Sequence, residues 1–191
     1  MRPAALAVSD EQTALAAAVR GFAEQAKLAG AARFAADSDT EALPDAWAAD
    51  AAQELLVLPF DAKVSDLCVA IEEFGRSLAP GPIVPTLLAA LLIKQYGAAE
   101  LRRTVAAGLR DGSFSAAVSI NGHVLGGAAV SAVVMPVDGR WYVVDTDRLD
   151  VTSATGIDPT RRIAQVEGAK PDESRLLAGL VDDEVVATAA V

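Results

Sequence analysis

The order of patterns along these 191 residues predicts an α+β protein: an N-terminal all-α block followed by a small antiparallel β-domain. Three observations carry that reading. Up to about residue 112, apolar residues recur every three or four positions, the spacing of one helix face. From residue 113 the recurrence shortens toward alternation, with Asn-Gly and Asp-Gly pairs between apolar runs, which signals hairpins. Helical and strand-like stretches come in separate blocks and so predict segregated layers.

The first helix opens at Ser9 and Gln12, a capping-box pair in which the serine oxygen accepts a free backbone N–H and the glutamine answers it. Leu15, Val19, Phe22 and Ala26 then fall on one face. A small-residue stretch (AGAARFAADSDTE) follows, and Pro44 stands at the first turn of a second helix that carries Trp47 and Ala51 inward. LLVLPF, residues 55–60, reads as a buried loop closed by Pro59. Ser65 is placed to cap a third helix whose stripe is Leu67, Ile71, Phe74 and Leu78, stopped by Pro80-Gly81-Pro82. A fourth helix over residues 84–96 is apolar all round, which predicts burial all round. A fifth covers 98–110 and ends at Asp111-Gly112.

Beyond it, residues 114–120 partly alternate into Asn121-Gly122. Residues 132–137 and 140–145 flank Asp138-Gly139 as two strands of a second hairpin. Alternation puts at most one of Trp141 and Tyr142 toward a core. Val151-Thr152 and residues 162–166 add strand, and 181–191 read as the opening of a helix. The domain boundaries predicted are 1–112 helical, 113–180 β, and 181–191 the helix start.

Composition narrows the function. Apolar residues make up 52% and charged residues 22%, the profile of a globular chain. A net charge of −10 gives no electrostatic reason to bind nucleic acid or an anionic membrane. One cysteine, Cys68, and one histidine, His123, exclude an intrachain disulfide, a cysteine metal cluster and multi-histidine zinc or iron sites. The longest apolar run, residues 83–93, is well short of the ~20 that span a bilayer and contains Pro85. With no leader pattern at the start, the expectation is a cytoplasmic protein.

A family likeness rests on particular residues. SDEQTALAAAVRGFAEQA is similar to the first helix of acyl-CoA dehydrogenases, and IEEFGRSLAPGPIVPTLLAALLIKQYGAAELRRTVAAGLRDGSFSAAVS resembles their third to fifth helices and first strand. The turn Glu72-Glu73-Phe74-Gly75-Arg76, continued by Leu78, Pro80 and Pro82, is its most specific part. VLGGAAVSAVVMPVDGRWYVVDTDRL and IDPTRRIAQVEG resemble later strands of the family's middle β-domain. The resemblance implies a flavin-dependent oxidation of acyl-CoA thioesters, of fatty acid or steroid side-chain type. It implies FAD between the β-domain and a C-terminal helical domain, whose glutamate takes the α-proton while the flavin takes the β-hydride.

The departures from that pattern bear on function. Where the family has a flavin-contacting loop of the type T-E-P-x-x-G-S-D, this chain passes from Ser119 almost directly to Ile120-Asn121-Gly122. The glycine-rich loop before the third helix is reduced to residues 61–64. The glutamate base and the C-terminal flavin-binding segment have no counterpart in these 191 residues. No catalytic residue and no metal ligand is therefore assigned, and the chain is not expected to be active alone. The residues that resemblance puts along a flavin are Ser119, Leu125, Gly126 and Gly127. Glycine there would allow close backbone approach, although two glycines before a strand also read as a bulge.

The remaining candidates have plain readings. His123 reads as a surface or hydrogen-bonded residue, Cys68 as a small buried hydrophobe, and Glu72-Glu73 as a solvated face, since neighbours on a helix point about 100° apart. Arg161-Arg162 reads as a solvated pair and Asp182-Asp183-Glu184 as a helix-start charge cluster. Two functions stay open: part of an enzyme whose C-terminal half comes from elsewhere, or a non-catalytic structural subunit or fragment that has lost FAD binding and partners an active relative. Both predict exposed apolar surface and association, as a homo-oligomer or with an acyl-CoA dehydrogenase subunit, and the substrate by resemblance is an acyl-CoA.

Overall fold

The computed structural model describes residues 8–37, 43–154, 156 and 162–180. The expectations for 181–191, including Asp182-Asp183-Glu184, and for Arg161 lie outside the described residues.

The helical block has seven α-helices among the described residues, two more than expected. α1 (Asp10–Gln25) starts with the predicted capping box: the Gln12 amide donates to Ser9 Oγ at 3.1 Å, and the Ser9 amide to Gln12 Oε1 at 3.2 Å. α2 (Leu28–Asp37) lies in the small-residue stretch, where Leu28 and Ala32 are the buried side chains among those described, too few for its periodicity to show in sequence. α3 (Ala46–Ala52) buries Trp47 and Ala51 as expected. α4 (Leu58–Asp61) is one turn formed where a loop was expected; Leu56 and Val57 before it and Pro59 within it are buried.

α5 (Val64–Arg76) buries Leu67 and Phe74, but its cap is Lys63 and not Ser65. Leu78 lies beyond its end at φ +52° and is 65% exposed, so it is not part of the stripe. α6 (Ile83–Tyr96) runs through the middle with Ile83, Leu87, Ala90 and Ile93 fully covered. Val84, Leu88 and Leu91 form one half-buried stripe, the exception to burial all round. α7 (Ala99–Asp111) ends at Gly112 in the left-handed conformation, and Trp47 Nε1 donates to the Gly112 carbonyl at 3.1 Å, tying α3 to that end.

Six strands form two three-stranded sheets. One has the order β1 (Ala116–Val118), β3 (Ala132–Val137), β4 (Arg140–Asp145); the other has the order β2 (His123–Leu125), β6 (Ile163–Glu167), β5 (Asp150–Ala154). β1 and β3 pair in parallel, a correction to the purely antiparallel expectation; the chain leaves the first sheet for the second at β2 and then returns. Both predicted turns form. Asn121 and Gly122, then Asp138 and Gly139, all have φ between +49° and +79°, the type I′ geometry that matches strand twist.

The first sheet is the middle of three layers. Ala116, Ala132, Val134, Trp141 and Val143 face the helices, while Ala117, Val133, Met135, Tyr142 and Val144 face Val124, Ala164 and Val166 of the second sheet. Trp141 and Tyr142 are therefore both buried, at 5% and 3% exposure, against the expectation that one would be wet. Successive side chains do point to opposite faces, but both faces are covered. Residues 172–180 strap the free edge of β4. Arg140 makes two 3.0 Å bonds to Glu173, Tyr142 donates to Glu173 at 2.8 Å, and the Leu177 amide donates to the Trp141 carbonyl. Those donors, Tyr142 first and Arg140 next, hold the Glu173 carboxyl below its ordinary range.

Helix and sheet meet at a buried hydroxyl. Thr86 Oγ1 on α6 donates to the Ala116 carbonyl at 3.0 Å and accepts from the Ala116 amide at 3.1 Å, with both residues fully buried. Replacing Thr86 by Val leaves two buried backbone groups unmade. Urea unfolding should show a loss of about 2–4 kcal/mol for Thr86→Val, while Thr86→Ser keeps most of the stability.

The helical block also buries a carboxyl. Asp50 on α3 is 0% exposed, and neither side-chain oxygen has a hydrogen-bond partner. Burial pushes its pKa up from 3.8 to about 7. The folded chain therefore holds this acid protonated at pH values where the unfolded chain ionises it. The stability Asp50 contributes as the neutral acid is fully present below about pH 4, is lost as pH rises, and is gone above about pH 7. Unfolding free energies of the native chain measured between pH 4 and 8 should carry this loss, on the order of a few kcal/mol. Asp50→Asn should flatten that dependence.

Candidate functional site

The segment expected to lie along a flavin is built from the β1–β2 connection and the turn after β2. Between β1 and β2, Asn121-Gly122 closes Ile120 onto His123 with only two residues: the Ile120 amide donates to the His123 carbonyl at 2.9 Å, and the His123 amide to the Ile120 carbonyl at 3.0 Å. Alternation from this turn gives the hairpin two faces. Ser119 and Val124 point inward and are 3% and 1% exposed; Ile120, His123 and Leu125 point outward, with Ile120 53% and Leu125 47% exposed.

The four expected residues therefore do not share one surface. Ser119 is buried, and its amide donates to the Val134 carbonyl at 2.8 Å, which joins it to β3. Leu125 is the one whose side chain reaches solvent. Gly126 has φ +106°, its amide donates to the Arg162 carbonyl at 2.8 Å, and a Cβ there would stand 2.9 Å from Pro82 Cβ and 3.0 Å from Val130 Cγ1. Its glycine requirement is met inside the chain, by the proline turn between α5 and α6. Gly127 is buried and opens the 3₁₀ turn Gly127–Ala129. His123 Nδ1 sits 3.0 Å from its own neighbour's carbonyl, Asn121 O, which fits the hydrogen-bonded surface reading.

Below the turn, hydroxyls replace missing ladder bonds. The Ser115 amide donates to Ser131 Oγ at 3.0 Å, Ser131 Oγ donates to the Ser115 carbonyl at 2.7 Å, and the Ser131 amide meets Ser115 Oγ at 2.9 Å. This reciprocal clasp sets the start of β1 against the start of β3. Nothing in the alternation of small residues around Ser115 signals it, but paired serines flanking two predicted strand starts are the residue types that could make it.

Two other readings change. Glu73 is 5% exposed and forms a two-pronged pair with Arg20 of α1, at 3.0 Å to Nε and 2.7 Å to Nη2, so it is not part of a solvated face. The Arg20 hydrogen bonds hold its carboxyl below the ordinary range. Glu72 keeps the exposed position expected of it, paired with Arg76. Cys68 is exposed and not buried. Arg162 is half-buried, and its carbonyl accepts from the Gly126 amide at 2.8 Å.

A groove of about 270 Å3 lies elsewhere, between α1 and residues 53–61, with Leu15, Val19, Phe22 and Leu58 on its walls and Glu54 and Asp61 at its rim. Among the described residues no cluster of His, Cys, Asp and Glu could hold a metal ion, and no helix is long and apolar enough to cross a membrane. Large apolar side chains exposed among the described residues are Val8, Phe34, Val64, Leu78, Ile120 and Leu125.

No family model matches the chain. It is 35% identical over 167 residues to the acyl-CoA dehydrogenase FadE34 of Mycobacterium tuberculosis, a match that covers 73% of this chain and 23% of that protein. It is 26% identical over 169 residues to the acyl-CoA dehydrogenase IpdE2 of Mycolicibacterium smegmatis, covering 83% of this chain and 52% of the relative. The chain thus spans from about a quarter to about half the length of these curated relatives. Among solved structures, the Tcur3481-Tcur3483 steroid acyl-CoA dehydrogenase superposes with a TM-score of 0.76 at 20% identity, over 96% of this chain and 61% of that one. The ChsE4-ChsE5 complex from Mycobacterium tuberculosis gives 0.77 at 17% identity, over 95% and 60%. An acyl-CoA dehydrogenase from Bacillus anthracis solved with FAD gives 0.67 at 14% identity, over 94% and 40%. FAD is the cofactor of such solved relatives. The helices-then-sheets order, the Glu72–Pro82 turn and these likenesses agree: this chain belongs to the acyl-CoA dehydrogenase family.

Proposed function

We propose that this chain is a helical-plus-β subunit of an acyl-CoA dehydrogenase-type assembly. In it, a partner polypeptide supplies the C-terminal helical bundle and the base for flavin-dependent oxidation of an acyl-CoA thioester. The observation that carries the proposal is the match itself. The fold agrees over nearly the whole of this chain with chains it spans by about 60%, while its sequence likeness is to acyl-CoA dehydrogenases. The half-buried stripe Val84, Leu88 and Leu91 on α6 and the exposed Ile120 and Leu125 supply apolar surface for such a partner to cover.

Substrates of the steroid side-chain kind are favoured over short straight chains, because two well-superposing structures are a steroid acyl-CoA dehydrogenase and a two-component complex of the same fold. A second reading, a non-catalytic structural subunit, draws on the two-residue turn at Asn121-Gly122, where resemblance leads one to expect a flavin loop.

The test is co-expression with acyl-CoA dehydrogenase polypeptides from the same organism, followed by light scattering and a dye-reduction assay on straight-chain and steroid side-chain CoA thioesters. A mixed oligomer that reduces the dye, when neither component does so alone, is the expected result. A strictly monomeric, non-aggregating chain at micromolar concentration that gains no partner would overturn the proposal.

A further inference from the structure

FAD offers a protein three things to satisfy: a flat apolar ring system, polar ring edges that seek N–H or O–H donors, and an anionic diphosphate. Such ligands sit in concave sites with a few aimed polar groups and backbone amides. The hairpin at β1–β2 offers apolar side chains but no cation for the diphosphate: it is a two-residue turn whose outward face carries Ile120, His123 and Leu125, with no Lys or Arg between residues 116 and 130.

Four of its backbone donors are engaged within the chain: the amides of Ser119, Ile120, His123 and Gly126 donate to the carbonyls of Val134, His123, Ile120 and Arg162, at 2.8 to 3.0 Å. Ser119 points inward, and the His123 ring is turned to the Asn121 carbonyl. The space beside Gly126, where a glycine might have admitted a ligand, is filled by Pro82 and Val130 at 2.9 and 3.0 Å from a Cβ position. The groove between α1 and residues 53–61 has no wall from β1 or β2, and its lining includes Glu54 and Asp61 but no Lys or Arg to hold a diphosphate.

We infer that the β1–β2 hairpin of this chain is closed to flavin, so that any FAD in the assembly is held by residues outside this hairpin and Ser119, Leu125, Gly126 and Gly127 serve internal packing and protein contact. Flavin is the ligand in question because of the functional reading above, but the closure itself is a property of this chain.

The experiment follows flavin fluorescence and hydrogen exchange together, on the full chain alone and on its co-purified assembly, with FAD added to about 100 μM. The expected result is no quenching by the chain alone, and exchange over residues 116–130 that is unchanged by FAD in either sample. Flavin retained by the assembly with residues 116–130 unaffected also supports the inference. Slower exchange at 119–127 on adding FAD, in either sample, would overturn it. Failure to form an assembly is read separately by light scattering and bears on the functional proposal, because the fluorescence and exchange of the chain alone still decide whether the hairpin is closed.

Discussion

The fold depends on how its central sheet is held from both sides. A three-stranded sheet has exposed edges and two apolar faces, and neither is stable in water without cover. Here α6 covers one face and supplies, through Thr86, the donor and acceptor that β1 would otherwise need from a further strand. The Ser115–Ser131 clasp then sets the parallel start of β1 against β3. With β1 fixed in that position, the alternating residues of β3 and β4 find helices on one side and the second sheet on the other. The free edge of β4 is closed by residues 172–180 through Arg140, Tyr142 and Glu173. A single hydroxyl on a helix therefore sets where two apolar clusters divide.

Local chemistry made much of this legible in advance. Both I′ turns were readable because a two-residue connection between twisted strands needs positive φ, which Asn-Gly and Asp-Gly adopt at low cost. The capping box at Ser9 and Gln12, the proline stop after α5 and the all-apolar α6 were readable for equally local reasons. What was hidden is tertiary. Among its described side chains α2 shows Leu28 and Ala32 to the core, so its small residues carry no period. Trp141 and Tyr142 were assigned one wet face because alternation does not reveal that a second sheet covers it. Glu73 looked solvated because its partner, Arg20, lies 53 positions away on another helix.

The candidate site was legible in its absence of length and not in its geometry. The short passage from Ser119 to Gly122 could be seen in the sequence, and it predicts a tight hairpin. Which face each residue takes follows only once the turn is known to close Ile120 onto His123. Glycine is the most ambiguous residue in such a reading, since positive φ, close packing and ligand approach all call for it. At Gly126 two of those demands are present together, a φ of +106° and contact with Pro82, and they account for the residue without a ligand.

The turn that most identifies the family is thus also the one that shapes the hairpin. Pro82 ends the proline stop after α5 and stands directly against Gly126, so the segment carrying the resemblance and the segment expected to meet flavin are packed on each other. Any loop long enough to reach out from β1 toward a ring would have to break the Ile120–His123 bonds. The Gly126–Pro82 contact would remain, because it depends on the second sheet through the Arg162 carbonyl. The helical scaffold and the β1–β2 connection are therefore separable in energetic terms. A family member can keep the whole of the first, with its buried α6 and Thr86 junction, while the second changes length, and with it what the outward face is able to bind.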